Sequence, residues 1–376
     1  MVSLQIVQQS NARLATLPKG LVALFIGATS GIGQSALEQF AQHASAPRIY
    51  TVARPQTVAS HEKLLSSLRE ANPDGIYNLI TADVSLISEV DRVASAIKQS
   101  ETKLDLLFLS AGFMAFEGRK DTSEGLDPSM TTRYYSRLRA VEQLLPLLNK
   151  STTSSPRVIS VLAGGLEAPL NESDLDLRDP DNWTTWNSSL HSATMGTLAF
   201  EVLAQQNPNI SFVHWCPGPV ATPGLAKAKK FGMSPPNQMS QDKSGVRALF
   251  LATNDRYSVK GGLVSIPEGL EAAKKTGGGI FIVDAEGESI DNEKHTYSIG
   301  QIVLWLALHA HSSPVLNYCH INQLAIQPEA LDRGRGAEPS FFNRVPSHEV
   351  SLRLALNSMA PVTRYVNYIT IFDLSE

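Results

Sequence analysis

The stretch Leu21-Val-Ala-Leu-Phe-Ile-Gly27-Ala-Thr-Ser-Gly31-Ile-Gly33 decides the fold of this chain of 376 residues. Its first six residues are a continuous apolar run, which is typical of a strand buried on both faces of a parallel sheet. The glycines at positions 27, 31 and 33 permit a tight turn, and a helical pattern follows from residue 34. Because free N–H groups at a helix N-terminus attract phosphate, this stretch predicts a dinucleotide-binding turn.

Short β-type runs alternate with longer helical runs from residue 20 to about residue 290. This alternation indicates an α/β fold, a Rossmann-type doubly wound parallel sheet in three α/β/α layers. The strands are expected at 21–26, 48–53, 77–81, 104–109, 157–161, 210–215 and 279–283. The clearest helix is 125–149, where apolar side chains recur every three or four residues. That stripe is explained by packing against the sheet, or against a second copy of the chain in a homodimer.

The composition excludes several classes of protein. With 43% hydrophobic and 18% charged residues and a net charge of −4, the chain is not disordered and has no basic surplus for nucleic acid. Two cysteines cannot form a disulfide framework, so we expect a reducing, cytoplasmic compartment. No secretory leader is visible, and no apolar stretch is long enough to span a bilayer. We therefore expect a small-molecule substrate and no nucleic-acid or membrane partner.

The pattern along the chain predicts three parts. A lead-in covers 1–19, the sheet domain with its nucleotide site covers 20–290, and an irregular C-terminal extension covers 291–376. The extension is rich in histidine, but no Cys/His spacing in it matches a zinc module, and we predict no metal site. Two interpretations of the extension remain open: a genuine segment that covers the site or mediates assembly, and translated intron sequence.

Several motifs, in order along the chain, resemble those of the short-chain dehydrogenase/reductases. Gly-Ala-Thr-Ser-Gly-Ile-Gly at 27–33 resembles the glycine-rich loop, and Ala-Asp-Val at 82–84 resembles the segment beside the adenine ring. Ser-Ala-Gly at 110–112 and Pro-Gly-Pro-Val-Ala-Thr at 217–222 are similar to the segments after the fourth strand and beside the nicotinamide. The resemblance implies a nicotinamide cofactor bound by Gly27, Thr29, Ser30, Gly31, Ile32, Gly33, Asp83, Ser110, Ala111, Gly112, Pro217, Gly218, Val220 and Thr222.

The end of the second predicted strand indicates which nicotinamide cofactor binds. An acidic residue there would hold the ribose hydroxyls of NAD, whereas a basic residue accommodates the 2′-phosphate of NADP. No Asp or Glu occurs between Phe40 and His61, and the strand ends at Arg54, whose planar guanidinium suits a phosphate. We therefore predict NADP(H) with Arg54 in its site; the alternative is an ordinary solvated arginine.

The catalytic residues that the resemblance implies are absent from this chain. The family uses Tyr-x-x-x-Lys, with the Tyr as general acid/base, a Ser that positions the carbonyl and an Asn on the long helix. No Tyr-x-x-x-Lys occurs in the sequence; no tyrosine lies between 136 and 256 and no lysine between 151 and 226. The Tyr and Lys positions fall on Ser189 and Ala193, the Ser position on Ala163 and the Asn position on Arg133.

Three residues are candidates for the altered chemistry. His191 lies in the stretch that replaces the dyad and carries the side chain whose pKa is closest to neutrality. However, a residue two positions from Ser189 faces the other side of a helix, so a structural histidine is the alternative. Arg133 would bind a carboxylate or enolate oxygen, unless a neighbouring acid pairs with it. Ser160 is a poor substitute for the missing serine, three positions before Ala163.

These motifs together predict an NADP(H)-dependent oxidoreductase with a non-standard catalytic site. Similarity to divergent fungal members of the family implies secondary-metabolite biosynthesis and a small apolar substrate, such as a polyketide-like or terpenoid-like molecule. A non-redox protein on the same scaffold is the alternative. It would be a dehydratase, isomerase or cyclase, or a cofactor-binding partner without catalysis.

Overall fold

A seven-stranded parallel sheet forms the centre of the protein, for which a computed structural model describes residues 2–16, 18–151, 153, 156–276 and 278–290. The strand order is β3-β2-β1-β4-β5-β6-β7. The strands are β1 (Val22–Ile26), β2 (Arg48–Ala53), β3 (Ile76–Thr81), β4 (Leu106–Leu109), β5 (Arg157–Val161), β6 (Ser211–Trp215) and β7 (Phe281–Val283). The order reverses between β1 and β4, and at such a point the carboxyl ends of the strands open a crevice.

Helices cover both faces of this sheet, which confirms the predicted Rossmann-type fold. Helix α2 packs against α9, and α4 packs against α6. The helices are α1 (Leu4–Ala12), α2 (Gly31–His43), α3 (Val58–Ala71), α4 (Ile87–Ser100), α5 (Pro128–Met130), α6 (Ser136–Leu148), α7 (Thr185–Gln206), α8 (Pro223–Ala228) and α9 (Gln241–Thr253).

The helix predicted over 125–149 starts later and is interrupted. Gly125 has a φ of +72°, and the Asp127 carboxylate accepts hydrogen bonds from Ser129 N and Met130 N, which starts the helix at Pro128. One wide π turn over 131–135 then separates α5 from α6. Such turns are rare in proteins overall, and many of those that occur lie at functional sites.

Strand ends differ from the predicted ones by at most two residues, for local reasons. The fourth strand begins at Leu106 because Leu104 donates its N–H to Leu147 O in α6, at 3.0 Å. The seventh begins at Phe281 because Gly279, with a φ of +93°, closes a turn on Thr276.

The lead-in before the sheet domain packs onto the domain. Asn11 on α1 donates to Val246 O on α9 at 2.8 Å, and Arg247 donates to Val2 O at 3.2 Å. The predicted C-terminal extension, 291–376, lies outside the described residues. Among the residues described, no helix is both long enough and apolar enough to cross a membrane.

Candidate active site

A cavity of about 1040 Å³ opens where the strands end at their carboxyl side. Its walls are the turns after β1, β2 and β3, the loop after β4, the π turn with the start of α6, and the loops after β5 and β6. All fifteen residues predicted to bind the cofactor line it. They are Gly27, Thr29, Ser30, Gly31, Ile32, Gly33, Arg54, Asp83, Ser110, Ala111, Gly112, Pro217, Gly218, Val220 and Thr222.

The glycine-rich turn is packed so closely that only glycine fits at two of its positions. A Cβ at Gly27 would lie 2.2 Å from Ala111 N, and one at Gly33 would lie 2.2 Å from Ser110 Oγ. Ser30 precedes α2, but its hydroxyl makes no capping hydrogen bond to the helix. The first-turn N–H groups of α2 therefore face the cavity without a side-chain cap, which suits an anionic pyrophosphate.

The second strand ends in the wall of this cavity. Arg54 follows β2 and is exposed, and its guanidinium makes no hydrogen bond or ion pair with any described residue. Asp83 follows β3, where its carboxylate accepts a hydrogen bond from Ser85 N at 3.0 Å and shapes the turn. The residue that follows β2 is thus basic rather than acidic, and this arrangement suits a 2′-phosphate.

Two buried arginines form the wall beneath Gly112. Arg133 lies in the π turn and Arg137 one turn later in α6, and their side chains are 5% and 4% exposed. A Cβ at Gly112 would lie 3.5 Å from Arg133 Cγ and 3.8 Å from Arg137 Nη2. The glycine therefore leaves both guanidinium-bearing side chains close to the cavity.

Arg137 donates hydrogen bonds to four protein oxygens. Its Nη1 donates to Ser160 Oγ at 2.7 Å and to Val161 O at 2.9 Å, both at the end of β5. Its Nη2 donates to Ala111 O at 2.6 Å and its Nε to Thr132 O at 3.1 Å. Ser160, a candidate from the sequence, is thus an acceptor for Arg137 and does not line the cavity.

Arg133 has fewer hydrogen-bond partners than Arg137 and forms no ion pair with any residue that the structure describes. Its Nη2 donates to Phe113 O at 2.5 Å and its Nη1 to Ser188 Oγ at 3.3 Å. Among the described residues neither Arg133 nor Arg137 forms an ion pair, although the charge of Asp127 acts on Arg133 and raises its pKa. Burial lowers the pKa of Arg133 to about 10 and, together with the charge of Arg133, lowers the pKa of Arg137 to about 9.

Ser189 and Ala193, the two positions predicted to correspond to the family's Tyr and Lys, lie on α7. Ser189 donates its hydroxyl to Thr185 O at 2.7 Å within α7, and Ala193 is buried. Tyr135 on the π turn donates instead to Asp176 Oδ1 at 3.0 Å, with its ring edge-on to Tyr134. Neither tyrosine is among the residues that line the cavity.

His191 lies away from the cavity. It is 6% exposed, and its Nε2 accepts a hydrogen bond from Asn171 N at 3.3 Å in the loop before α7. Burial lowers the pKa of its imidazole, which keeps the ring neutral. His191 is therefore not among the residues that line the cavity, whereas Arg133 is.

A buried polar cluster behind Ser160 was not found from the sequence. His214 on β6 is registered with Ser160 on β5, so the two side chains leave the same face of the sheet. His214 Nδ1 is 2.8 Å from Thr197 Oγ1, which donates to Glu167 Oε1 at 2.5 Å. Burial lowers the pKa of His214 to about 4. Strand β6 is buried along its whole length, so no periodicity marked its histidine.

Aromatic side chains line one end of the cavity, and no pattern in the sequence indicated their arrangement. Phe116, after β4, and Phe231, after α8, stack in parallel with ring centroids 4.2 Å apart. Phe113 and Met114 also line the cavity and are 46% and 39% exposed. These residues give one end of the cavity an apolar mouth.

The sheet order, the glycine-rich turn and the cavity at the reversal point define a Rossmann-type α/β protein. The profile described as short chain dehydrogenase matches residues 21–171. The chain is 68% identical over 294 residues to the NmrA-like family domain-containing oxidoreductase notO of Aspergillus sp. (strain MF297-2), covering 78% of this chain and 88% of that protein. It is 33% identical over 292 residues to the short-chain dehydrogenase/reductase SAT2 of Stachybotrys chartarum, covering 69% and 80%. The chain belongs to the short-chain dehydrogenase/reductase family.

A solved structure shares the fold at low sequence identity. The Pseudomonas aeruginosa RhlG/NADP active-site complex superposes with a TM-score of 0.50 and 20% identity, covering 68% of this chain and 98% of that one. At this identity the likeness concerns the fold alone.

Proposed function

We propose that the protein is an NADP(H)-dependent oxidoreductase with a non-standard catalytic site, acting on a small apolar metabolite in fungal-type secondary metabolism. One observation carries the proposal: all the residues expected to hold the cofactor, together with two buried arginines, line a single cavity. Family membership supports an oxidoreductase, and the fungal relatives notO and SAT2 are named as an oxidoreductase and a dehydrogenase/reductase.

The chain's own residues fit the two ends of a dinucleotide phosphate cofactor. The turn from Gly27 to Gly33 and the N-terminus of α2 would hold the pyrophosphate, and Arg54 would hold the 2′-phosphate. Pro217 and Thr222 would lie beside the nicotinamide, as the family resemblance implies. When bound, the cofactor supplies hydride transfer, and the protein supplies position and charge.

The missing dyad limits which substrates suit this site. A phenol with a reference pKa near 10 must be activated to exchange protons near neutrality, and here no tyrosine of the described chain lines the cavity. An activated alkene or an iminium would tolerate that loss, because its reduction needs little protonation help. The positive charge of Arg133 would stabilise negative charge that develops on a nearby substrate oxygen.

The apolar rim supports a small apolar substrate. Phe113, Met114, Phe116 and Phe231 offer large apolar surfaces beside the arginines. Binding sites for such ligands are concave and mostly apolar, with a few polar groups that fix orientation. This combination favours a polyketide-like or terpenoid-like molecule over a sugar.

Two measurements test the proposal. NADPH should raise the melting temperature of the full chain, because a ligand that binds the folded state stabilises it. NADH at equal concentration should raise it less, because it lacks the 2′-phosphate that Arg54 would hold. Absorbance at 340 nm should then fall with at least one member of a panel of enones, iminium precursors and ketones. Absence of any stabilisation by either nucleotide contradicts the proposal.

The second candidate is a non-redox protein on the same scaffold: a dehydratase, isomerase or cyclase, or a cofactor-binding partner without catalysis. It is favoured by the substitution of all four catalytic positions of the family alongside a retained glycine-rich turn. The same experiment separates the two, because stabilisation by NADPH without consumption across the panel supports this candidate.

Three further proposals concern the chain outside the site. A homodimer through 125–149 would be seen as a doubled mass in analytical ultracentrifugation. A cytoplasmic location agrees with the two cysteines.

Deleting 295–376 tests the C-terminal extension, since an unchanged melting temperature would mean that it adds nothing to the stability of the sheet domain.

A further inference from the structure

Arg133 and Arg137 place two positive charges side by side, and no described acid forms an ion pair with either. Gly112 lies over both side chains, within 4 Å of each for a Cβ built on it. The charge of Arg133 lowers the pKa of Arg137, which is the mark of like charges at short range. No described carboxylate lies within ion-pairing distance of either guanidinium. A buried pair of like charges is costly unless an anion is added.

Hydrogen-bond accounting separates the two arginines. A guanidinium has five N–H donors in a fixed fork. Arg137 uses four of its donors on protein oxygens, so it is held in place as a structural element. Arg133 makes two hydrogen bonds, which leaves three donors without an acceptor in the described chain. Arg133 is therefore the member of the pair that has donors available for a ligand.

Asp127 is the described acid whose charge raises the pKa of Arg133, but it forms no ion pair with the guanidinium. Asp127 also lines the cavity, but its carboxylate accepts hydrogen bonds from Ser129 N, Met130 N and Lys120 N at 2.8–3.1 Å. It caps the start of the long helix and lies beyond ion-pairing distance of the guanidinium. The positive charge at this wall therefore remains available to a ligand in the cavity.

The wall around the arginines indicates the rest of the ligand. Gly112 presents no side chain, which gives a ligand close approach to Arg133. Phe113 and Met114 follow it directly, and the stacked Phe116 and Phe231 complete the apolar rim of the same cavity. A molecule that satisfies both features has an apolar body and one acidic oxygen.

We infer that Arg133 is an anion subsite, and that the substrate is an apolar molecule carrying a carboxylate or an enolised 1,3-dicarbonyl group. That the bound molecule is a substrate rests on the proposed function, whereas the binding of an anion at Arg133 does not. An anionic oxygen accepts from the guanidinium fork, and such charge-assisted hydrogen bonds are the strong ones. Because the cofactor also carries anionic groups, the test must separate substrate-like acids from the nucleotide.

The test uses matched acidic and neutral probes on the full chain. We would titrate 4-phenylbutanoate and its methyl ester, and 1-phenylbutane-1,3-dione and its 2,2-dimethyl derivative, which cannot form the conjugated 1,3-enol, by calorimetry with and without saturating NADPH. The acidic member of each pair should bind about tenfold tighter or more. Arg133→Gln should abolish that preference, and Arg133→Lys, which keeps the charge, should retain part of it. Lys227→Gln removes an exposed positive charge from the same wall and should leave the preference unchanged.

Each outcome decides the inference. Equal binding of acid and neutral probe overturns it, as does a preference that persists in Arg133→Gln or disappears in Lys227→Gln. If Arg133→Gln weakens NADPH and leaves the acid preference intact, Arg133 serves the cofactor and the inference is wrong. Acid preference in a protein that does not bind NADPH would support the subsite and contradict the proposed cofactor. Circular dichroism of each variant verifies that the fold is retained.

Discussion

Arg137 Nη1 donates a hydrogen bond of 2.7 Å to Ser160 Oγ, so the hydroxyl at the end of β5 is held by a buried cation. The same nitrogen donates to Val161 O, and Nη2 donates to Ala111 O after β4. One side chain of α6 thus joins the ends of two central strands at the wall of the cavity. Arg137 has a structural role here, and Ser160 is one of its acceptors.

Replacing Arg137 should therefore destabilise the protein more than replacing Ser160. In Arg137→Met, three backbone carbonyls lose their donor, and we expect the free energy of unfolding to fall by about 2–4 kcal/mol. Removal of a buried charge offsets part of the loss. Ser160→Ala removes one acceptor and should cost about 1 kcal/mol. Urea unfolding monitored by circular dichroism measures both, and equal losses would show that the carbonyl contacts are energetically unimportant.

Gly27→Ala should damage both the fold and nucleotide binding. The new Cβ would lie 2.2 Å from Ala111 N, at a φ of +100° that L side chains rarely adopt. Strain and overpacking together should cost about 3–5 kcal/mol. Gly20→Ala is the matched control, because its φ is +79° and nothing lies within 4 Å of its Cβ. It should cost about 1–2 kcal/mol, and a control as unstable as Gly27→Ala would assign the effect to φ alone.

The fold could be predicted because its signals are local. Apolar runs such as Val22–Ile26 mark doubly buried strands, and the glycine turn beside it needs no distant information. The break in the long helix was missed, since it depends on how Asp127 caps the start and how the π turn fits its surroundings. Periodicity reports the buried face of a helix and is insensitive to one inserted residue.

The sequence predicted Arg133 and the residues expected around the cofactor, all of which line the cavity, but it did not predict the remaining wall. The residues expected around the cofactor belong to contiguous motifs at strand ends. The stack of Phe116 on Phe231 joins loops more than 100 positions apart, and the roles of Arg137 and His214 depend on contacts between strands and helices. Such long-range contacts leave no pattern in a single sequence.

Arg54→Gln should change the choice of nicotinamide cofactor. Losing the planar guanidinium removes a charge-assisted hydrogen bond to the 2′-phosphate, so the Kd of NADPH should rise about 10-fold to 100-fold. The Kd of NADH, which has no such phosphate, should stay nearly constant. Fluorescence titration measures both. Lys63→Gln removes the same charge from an exposed position on α3, outside the cavity wall, and should leave both constants unchanged. A parallel loss of NADPH and NADH affinity in Arg54→Gln would contradict the assignment.

His214 should make the stability of the protein depend on pH in acid. Burial and the charge of Arg137 lower its pKa in the folded protein to about 4, although the Glu167 carboxylate opposes this shift. The unfolded chain binds the proton below about 6.5, so between these values it holds more protons than the folded protein. The free energy of unfolding should thus fall as pH drops from 6.5 to 4, by at most about 1.4 kcal/mol per pH unit. Above pH 6.5 this contribution is complete.

The variant His214→Asn isolates that contribution. Its amide can replace the imidazole in the hydrogen bond to Thr197 but does not titrate, so the difference between wild type and variant should be constant above pH 6.5 and shrink towards pH 4. Urea unfolding at half-unit pH intervals provides both curves. Carboxylates that do not interact with His214 titrate alike in both proteins, so the difference removes their effect, and only Glu167 remains coupled to His214. A difference that stays constant down to pH 4 would mean that the buried His214 is protonated in the folded protein as readily as in the unfolded chain.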